Sequence, residues 1–261
     1  MISPSHHKAA HKLAGEILKA AVPAADNEPD RAEKLRAEAQ LMAAINRYFG
    51  KLAKKVTAQL RIAPPKQQPE KAGPEFNDDF WTDADFVEEL IKVLTEAIKR
   101  GALRFTEMVN LEINQGLVNK EAAEFIREYA FDLVKNLADT SRAMLQSVIE
   151  QFVTTPGMTI GDVIAQLPFD ETRATLIATT EITRAYAEGQ QLAAEQTAKE
   201  WPDVPVTKLW HTNMDDRVCP ICAPLDGVSA EAEEDFDAEF ENPPAHPACR
   251  CWISYRTNIN A

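Results

Sequence analysis

All four cysteines of this 261-residue chain fall between positions 219 and 251, as Cys219-Pro220-Ile221-Cys222 and then Cys249 and Cys251 in His246-Pro247-Ala248-Cys249-Arg250-Cys251. The C-x-x-C and the H-x-x-C each offer two donors at i and i+3. Two such knuckles can converge on one tetrahedral ion, and zinc accepts mixed thiolate and imidazole sets without redox cost. Cys249 and Cys251 point to opposite faces of an extended chain, so the first choice of ligands is Cys219, Cys222, His246 and Cys249. Cys251 in place of His246 or Cys249 is the alternative. Four protein ligands leave no open position for water, which makes the expected Zn2+ structural rather than catalytic. The surrounding segment holds few apolar residues, and a metal would supply folding energy that its core lacks.

Three other readings of the cysteines are weaker. The first thirty residues contain no apolar h-region, so no secretory signal is expected, and disulfides do not persist in reducing cytosol. A thioredoxin-like pair would need a βαβ context, which is missing. A zinc deaminase needs an upstream H-x-E, and His211-Thr212-Asn213 does not supply it.

The rest of the chain reads as helix. Only 9 residues are glycine, and no run of 18 apolar residues suggests a membrane span. Leu41, Ile45, Tyr48, Leu52, Val56 and Leu60 form one stripe at helical spacing. Arg47, Lys51, Lys54, Lys55 and Arg61 lie off that stripe as a basic face, which is either simply solvated or a contact for DNA or an acidic partner. Four prolines between Pro64 and Pro74 predict an extended linker. Helical periodicity resumes at the cap pair Thr82-Asp83 and runs to about residue 200. Breaks are expected near Gly101, Gly116 and Pro156-Gly157, and helix starts at Asn119-Lys120-Glu121, Thr159 and Asp170. Val204–Trp210 and Cys251–Tyr255 read as strands. The expected fold is mainly α-helical with a small C-terminal α+β zinc-stabilised module. Its divisions are a basic N-terminal helical arm (1–63), a Pro-rich linker (64–80), a helical body (81–200) and a Cys/His module (201–261).

The net charge of -13 hides a split. Residues 1–63 carry 11 Lys and Arg against 6 Asp and Glu, whereas 64–261 carry 17 against 35, balances of +5 and -18. Long-range repulsion of DNA therefore applies to the larger part and not to the first. The stretch from Asp226 to Asn242 holds 8 acidic residues and no basic one, and reads as a solvated loop.

Arg173-Ala174, Ile177-Ala178, Thr180-Glu181, Arg184-Ala185-Tyr186 and Gly189 lead into Trp210-His211-Thr212, Asp215-Asp216-Arg217 and the two knuckles with Arg250. In that order and spacing, residues 168–255 resemble the phage Mu F-like head morphogenesis family of minor capsid proteins. The resemblance implies a virion component made in the host cytoplasm and carried inside the capsid at the portal vertex. Its partners would be the portal protein, other head proteins and, in some members, double-stranded DNA. It implies no enzyme, no small-molecule substrate and no membrane. The competing reading is a metal-dependent hydrolase or nuclease using His211, Asp216 and the cysteine region. No nucleophile, phosphate loop or open metal triad accompanies those residues. A generic zinc-ribbon interaction module of a bacterial host protein is a third reading. Glu181 and Arg184, one turn apart, read as a helix-surface ion pair or an anchor to the next module.

Overall fold

The computed structural model describes residues 28–62, 76–213, 218–236 and 240–257. Its helices are α1 (Arg31–Ile62), α2 (Asp78–Trp81), α3 (Ala84–Val109), α4 (Gln115–Thr154), α5 (Ile160–Ala165) and α6 (Glu171–Glu200). They precede an antiparallel sheet of β1 (Val206–His211), β2 (Ser229–Glu231) and β3 (Trp252–Thr257), in the order β2-β1-β3. The chain is thus mainly helical with a small C-terminal sheet. No helix among the described residues is long and apolar enough to cross a membrane.

Local chemistry sets most helix starts. Asp83 accepts from Phe86 N at the head of α3, Asp170 accepts from Arg173 N at the head of α6, and Thr159 and Asp162 form a reciprocal capping box on α5. Two expectations are corrected. α4 begins at Gln115 rather than at Asn119, because Asn114 accepts from the backbone N–H of Gly116 and Leu117. Gly101 is no break either: α3 continues to Val109 and stops where Asn110 enters the left-handed region at φ 52°.

Gly101 instead marks a close approach of two helices. A Cβ there would run into the backbone carbonyl of Tyr186, and one on Gly189 would run into that of Ile98. α3 and α6 therefore cross backbone to backbone, each through a glycine facing the other helix.

Residues 31–62 of the expected arm lie along α6 and α3. The stripe Leu41, Ile45, Tyr48, Leu52, Val56 and Leu60 is buried, with Tyr48 stacked on Phe86 at 4.4 Å. Of the expected linker, 64–75 lie outside the described residues. Phe76 packs edge-on against Phe80 and Trp81 of α2, because a cluster of three aromatics buries too much area to stay extended. Under the sheet, Phe105, Val109 and Val118 from the helices join Val206, Trp210, Ile253 and Tyr255 in one apolar cluster, so the strands rest on the ends of α3 and α6.

Gly101→Ala and Gly189→Ala are each expected to cost about 3 kcal/mol or more, since backbone cannot yield as a side chain does. Gly50→Ala, where a Cβ meets nothing, is expected to stabilise by about 0.5–1 kcal/mol. Urea unfolding of the three variants measures both.

Candidate metal centre

The first knuckle is a tight turn after β1. Cys222 N and Ala223 N both donate to Cys219 O, at 3.1 and 2.9 Å, and Cys222 N also lies 3.3 Å from Cys219 Sγ. The second knuckle turns at Ala248, whose φ of 59° is left-handed, with Cys249 N donating to His246 O at 3.1 Å. α6 fixes this second turn from below. Thr180 Oγ1 accepts from Ala248 N at 2.8 Å, and Thr183 Oγ1 donates to Cys249 O at 3.3 Å. Thr180 was named in the sequence only as part of the family pattern, and Thr183, three residues on in the same segment, was missed.

The turns bring five donors together. Cys219, Cys222 and His246 form one group, and Cys222, Cys249 and Cys251 a second, with the donor atoms of each group all within 4.8 Å of one another. His246 Nε2 is 3.0 Å from Cys219 Sγ and 3.2 Å from Cys222 Sγ, and Cys222 Sγ is 3.7 Å from Cys249 Sγ. A tetrahedral zinc with Zn–S of about 2.3 Å and Zn–N of about 2.0–2.1 Å sets sulfurs about 3.8 Å apart and sulfur from nitrogen about 3.5 Å. The donor chemistry and spacing fit such an ion, and these residues could hold a metal. His246 Nδ1 lies 2.8 Å from Pro247 O. That contact holds the proton on Nδ1 and leaves Nε2 to face the sulfurs.

The donors shift one another's pKa in opposite directions. Hydrogen bonding from Cys222, then from His246, draws the Cys219 thiol down to about 4. Burial lowers His246, but its bond to Cys219 and the Cys249 charge outweigh that and bring it to about 9. Cys222 moves far the other way, because it is the thiol that donates to Cys219 and Cys249. Cys249 is pulled well down by Cys222 and Cys251. Cys251 moves up on balance, despite lowering by Cys222 and by the Trp210 indole, because Cys249 and burial raise it. Because a metal takes thiolates and a neutral imidazole, its uptake at this cluster would release protons.

His211 stands in neither donor group. Its ring stacks on Trp252 at 4.0 Å, its Nε2 is 2.7 Å from Ser254 Oγ, and burial lowers its pKa. Asp216, with Asp215 and Arg217, lies outside the described residues. Arg250 borders a small recess beside the cysteines with Thr212 and Asn213. Arg173 is a half-buried clamp: Nη1 donates to Pro168 O at 2.7 Å and Ser141 Oγ at 3.0 Å, over the Phe49 ring.

Glu181 is no surface partner for Arg184. It is 7% exposed, takes a hydrogen bond from Tyr129 Oη and has Arg184 Nε at 3.5 Å. The anchor therefore joins α6 to α4, not to the sheet.

The basic face is largely spent. Arg47 pairs with Glu89, Lys51 with Asp83 at 2.8 Å and Asp85 at 3.3 Å, and Lys55 donates to Phe80 O at 3.1 Å. Lys54 and Arg61 remain exposed and make no ion pair with the described residues.

Lys208 is a further residue that sequence reasoning missed. Fully buried, it donates to Glu241 O at 3.0 Å and to Asn242 Oδ1 at 3.4 Å beneath Phe236, tying the acidic stretch to the sheet. Strand alternation could have found it, since Lys208 shares the inward phase of Val206 and Trp210.

Residues 88–254 match the family model described as Phage Mu protein F like protein. No curated protein and no solved structure matches the chain. The match runs from α3 to β3, includes both knuckles and leaves α1 outside.

Elemental analysis of the purified protein is expected to return one zinc per chain. Cys222→Ser, which removes the donor common to both groups, is expected to lose the metal together with the fold of residues 201–257, seen as a lowered melting temperature and loss of soluble yield. A folded Cys222→Ser protein that keeps its zinc would exclude this site.

Proposed function

Because the chain belongs to the phage Mu F-like family, we propose that it is a head morphogenesis protein of a tailed phage or prophage, a minor capsid component that docks at the portal vertex inside the head. The match over residues 88–254 carries this reading. The metal-capable cluster gives it a physical part: a structural Zn2+ held by Cys219, Cys222, His246 and Cys249, with Cys251 as the alternative ligand. Its role is to lock the two knuckles on α6 so that the sheet presents a fixed surface. All four positions around the ion would be filled by protein, which suits a scaffold and leaves none for a substrate.

The hydrolase alternative draws less support. His211 is engaged by Trp252 and Ser254 and belongs to neither donor group. As for DNA, the α1 face first expected to meet it keeps two unpaired cations out of five. Two phosphate contacts give a salt slope of only about -1.8, too shallow for firm duplex binding. An acidic protein surface is the better match for Lys54 and Arg61.

The purified chain mixed with the portal ring of its phage is expected to co-migrate with the ring on gel filtration, and to be found in purified heads at low copy number. Absence from the heads together with failure to bind the ring would refute the docking role. Duplex DNA is expected to bind no more tightly than to a Lys54→Ala/Arg61→Ala variant by a factor above about ten, read by fluorescence anisotropy at fixed salt.

A further inference from the structure

The two free cations of α1 do not stand alone. Between the end of α1 and the segment from α5 to Phe169 runs an open groove of about 570 Å³, walled by Ala53 and Thr57 on one side and Ile164 and Phe169 on the other. Lys54, Arg61 and Asp170 line it. Small residues on α1 hold the groove open. The Asp170 carboxylate, committed as the cap of α6, offsets one of the two cations, and the net positive charge left over favours a negative occupant.

The chain carries that occupant elsewhere. Glu231, Glu233 and Glu234 are exposed, make no ion pair with the described residues, and belong to the stretch with 8 acidic residues and no basic one. Within one molecule the two features stand apart. The Lys34 end of α1 is the end that meets the sheet, bordering a recess with Cys251 and Trp252. Arg61 lies 27 residues further along the helix, roughly 40 Å away. β2 is two strand spacings from β3, about 10 Å, so the acidic edge stays near the Lys34 end.

We infer that the groove beside Lys54 and Arg61 takes the acidic edge at Glu231, Glu233 and Glu234 of a second copy of this chain, giving head-to-tail self-association. The contact joins two different surfaces. It therefore closes into a ring when the rotation between copies permits and otherwise extends as an open chain. The charge split along the sequence then has a structural use: the positive balance of the first segment meets the negative balance of the rest, one copy on. Exposed pairs of this kind are weak and screened, so the association is salt-labile.

Sedimentation velocity of the full chain over a concentration series tests this. Wild type is expected to associate at low ionic strength, and its apparent affinity is expected to fall at least about tenfold between roughly 0.05 and 0.5 M NaCl. Lys54→Glu/Arg61→Glu and Glu231→Lys/Glu233→Lys/Glu234→Lys should each remain monomeric, with unchanged circular dichroism. Mixed in equal amounts, the two variants should associate again, because each supplies the reversed partner of the other. A wild-type chain that is monomeric at every concentration overturns the inference, as does association indifferent to both variants. Loss of association in the groove variant alone also overturns it, since the occupant would then be another surface.

Discussion

The crossing of α3 and α6 through Gly101 and Gly189 is the contact on which the other elements depend. Each glycine lets the opposite carbonyl approach to where a side chain would sit. At that spacing no layer of side chains separates the helices, and both are left with faces free for other partners. α1 and α4 cover one part of this pair, and the sheet covers the end formed by Phe105, Val109, Ala193 and Ala194. α6 is consequently buried on several sides. Its polar residues Thr180, Glu181 and Thr183 face protein rather than water, and each has a partner.

From that helix the cysteine site inherits its shape. Thr180 and Thr183 grip the second knuckle by its backbone, so the left-handed turn at Ala248 and the sulfur of Cys249 are placed by α6 before any ion is considered. The first knuckle shapes itself through Cys219 O and Sγ. An ion bridging the two would join a turn that is part of the helical core to one that hangs from β1. That is where a metal adds most, because the sheet has only a thin apolar cluster of its own.

Much of this was legible in the residues. Asp83, Thr159 and Asp170 announced their helices because a cap acts within four residues of itself. The spacing of the cysteines and His246 announced a cluster, since knuckles are equally local. What could not be read was set by partners far along the chain. Gly101 was expected to break α3, and only Tyr186 explains why it does not. Arg47 and Lys51 counted as free charge until Glu89, Asp83 and Asp85 came alongside. Glu181 passed for a surface residue, because its burial depends on Tyr129 from a different helix. The ligand set is a subtler case: Cys222 and the four donors grouped with it make five, one more than a tetrahedral ion uses, and spacing alone does not rank Cys249 against Cys251.

The family match and the charge pattern both set α1 apart from the rest of the molecule, although the charge changes sign at residue 63 and the match begins at residue 88. The matched span holds the glycine crossing, the buried anchors and both knuckles, which together define a rigid scaffold. α1 lies outside it, yet its apolar stripe is buried against that scaffold, so its orientation is fixed by the shared core. Its outward residues are under no such constraint. Three of the five cations off the stripe are held by acidic groups or a carbonyl of neighbouring elements, and those contacts orient the helix about its axis. The two left over, Lys54 and Arg61, fall beside a stretch of α1 where small side chains open a groove. Fixed backbone, uncommitted charge and unfilled apolar surface coincide there, and that coincidence distinguishes a place for a partner from a merely solvated helix face.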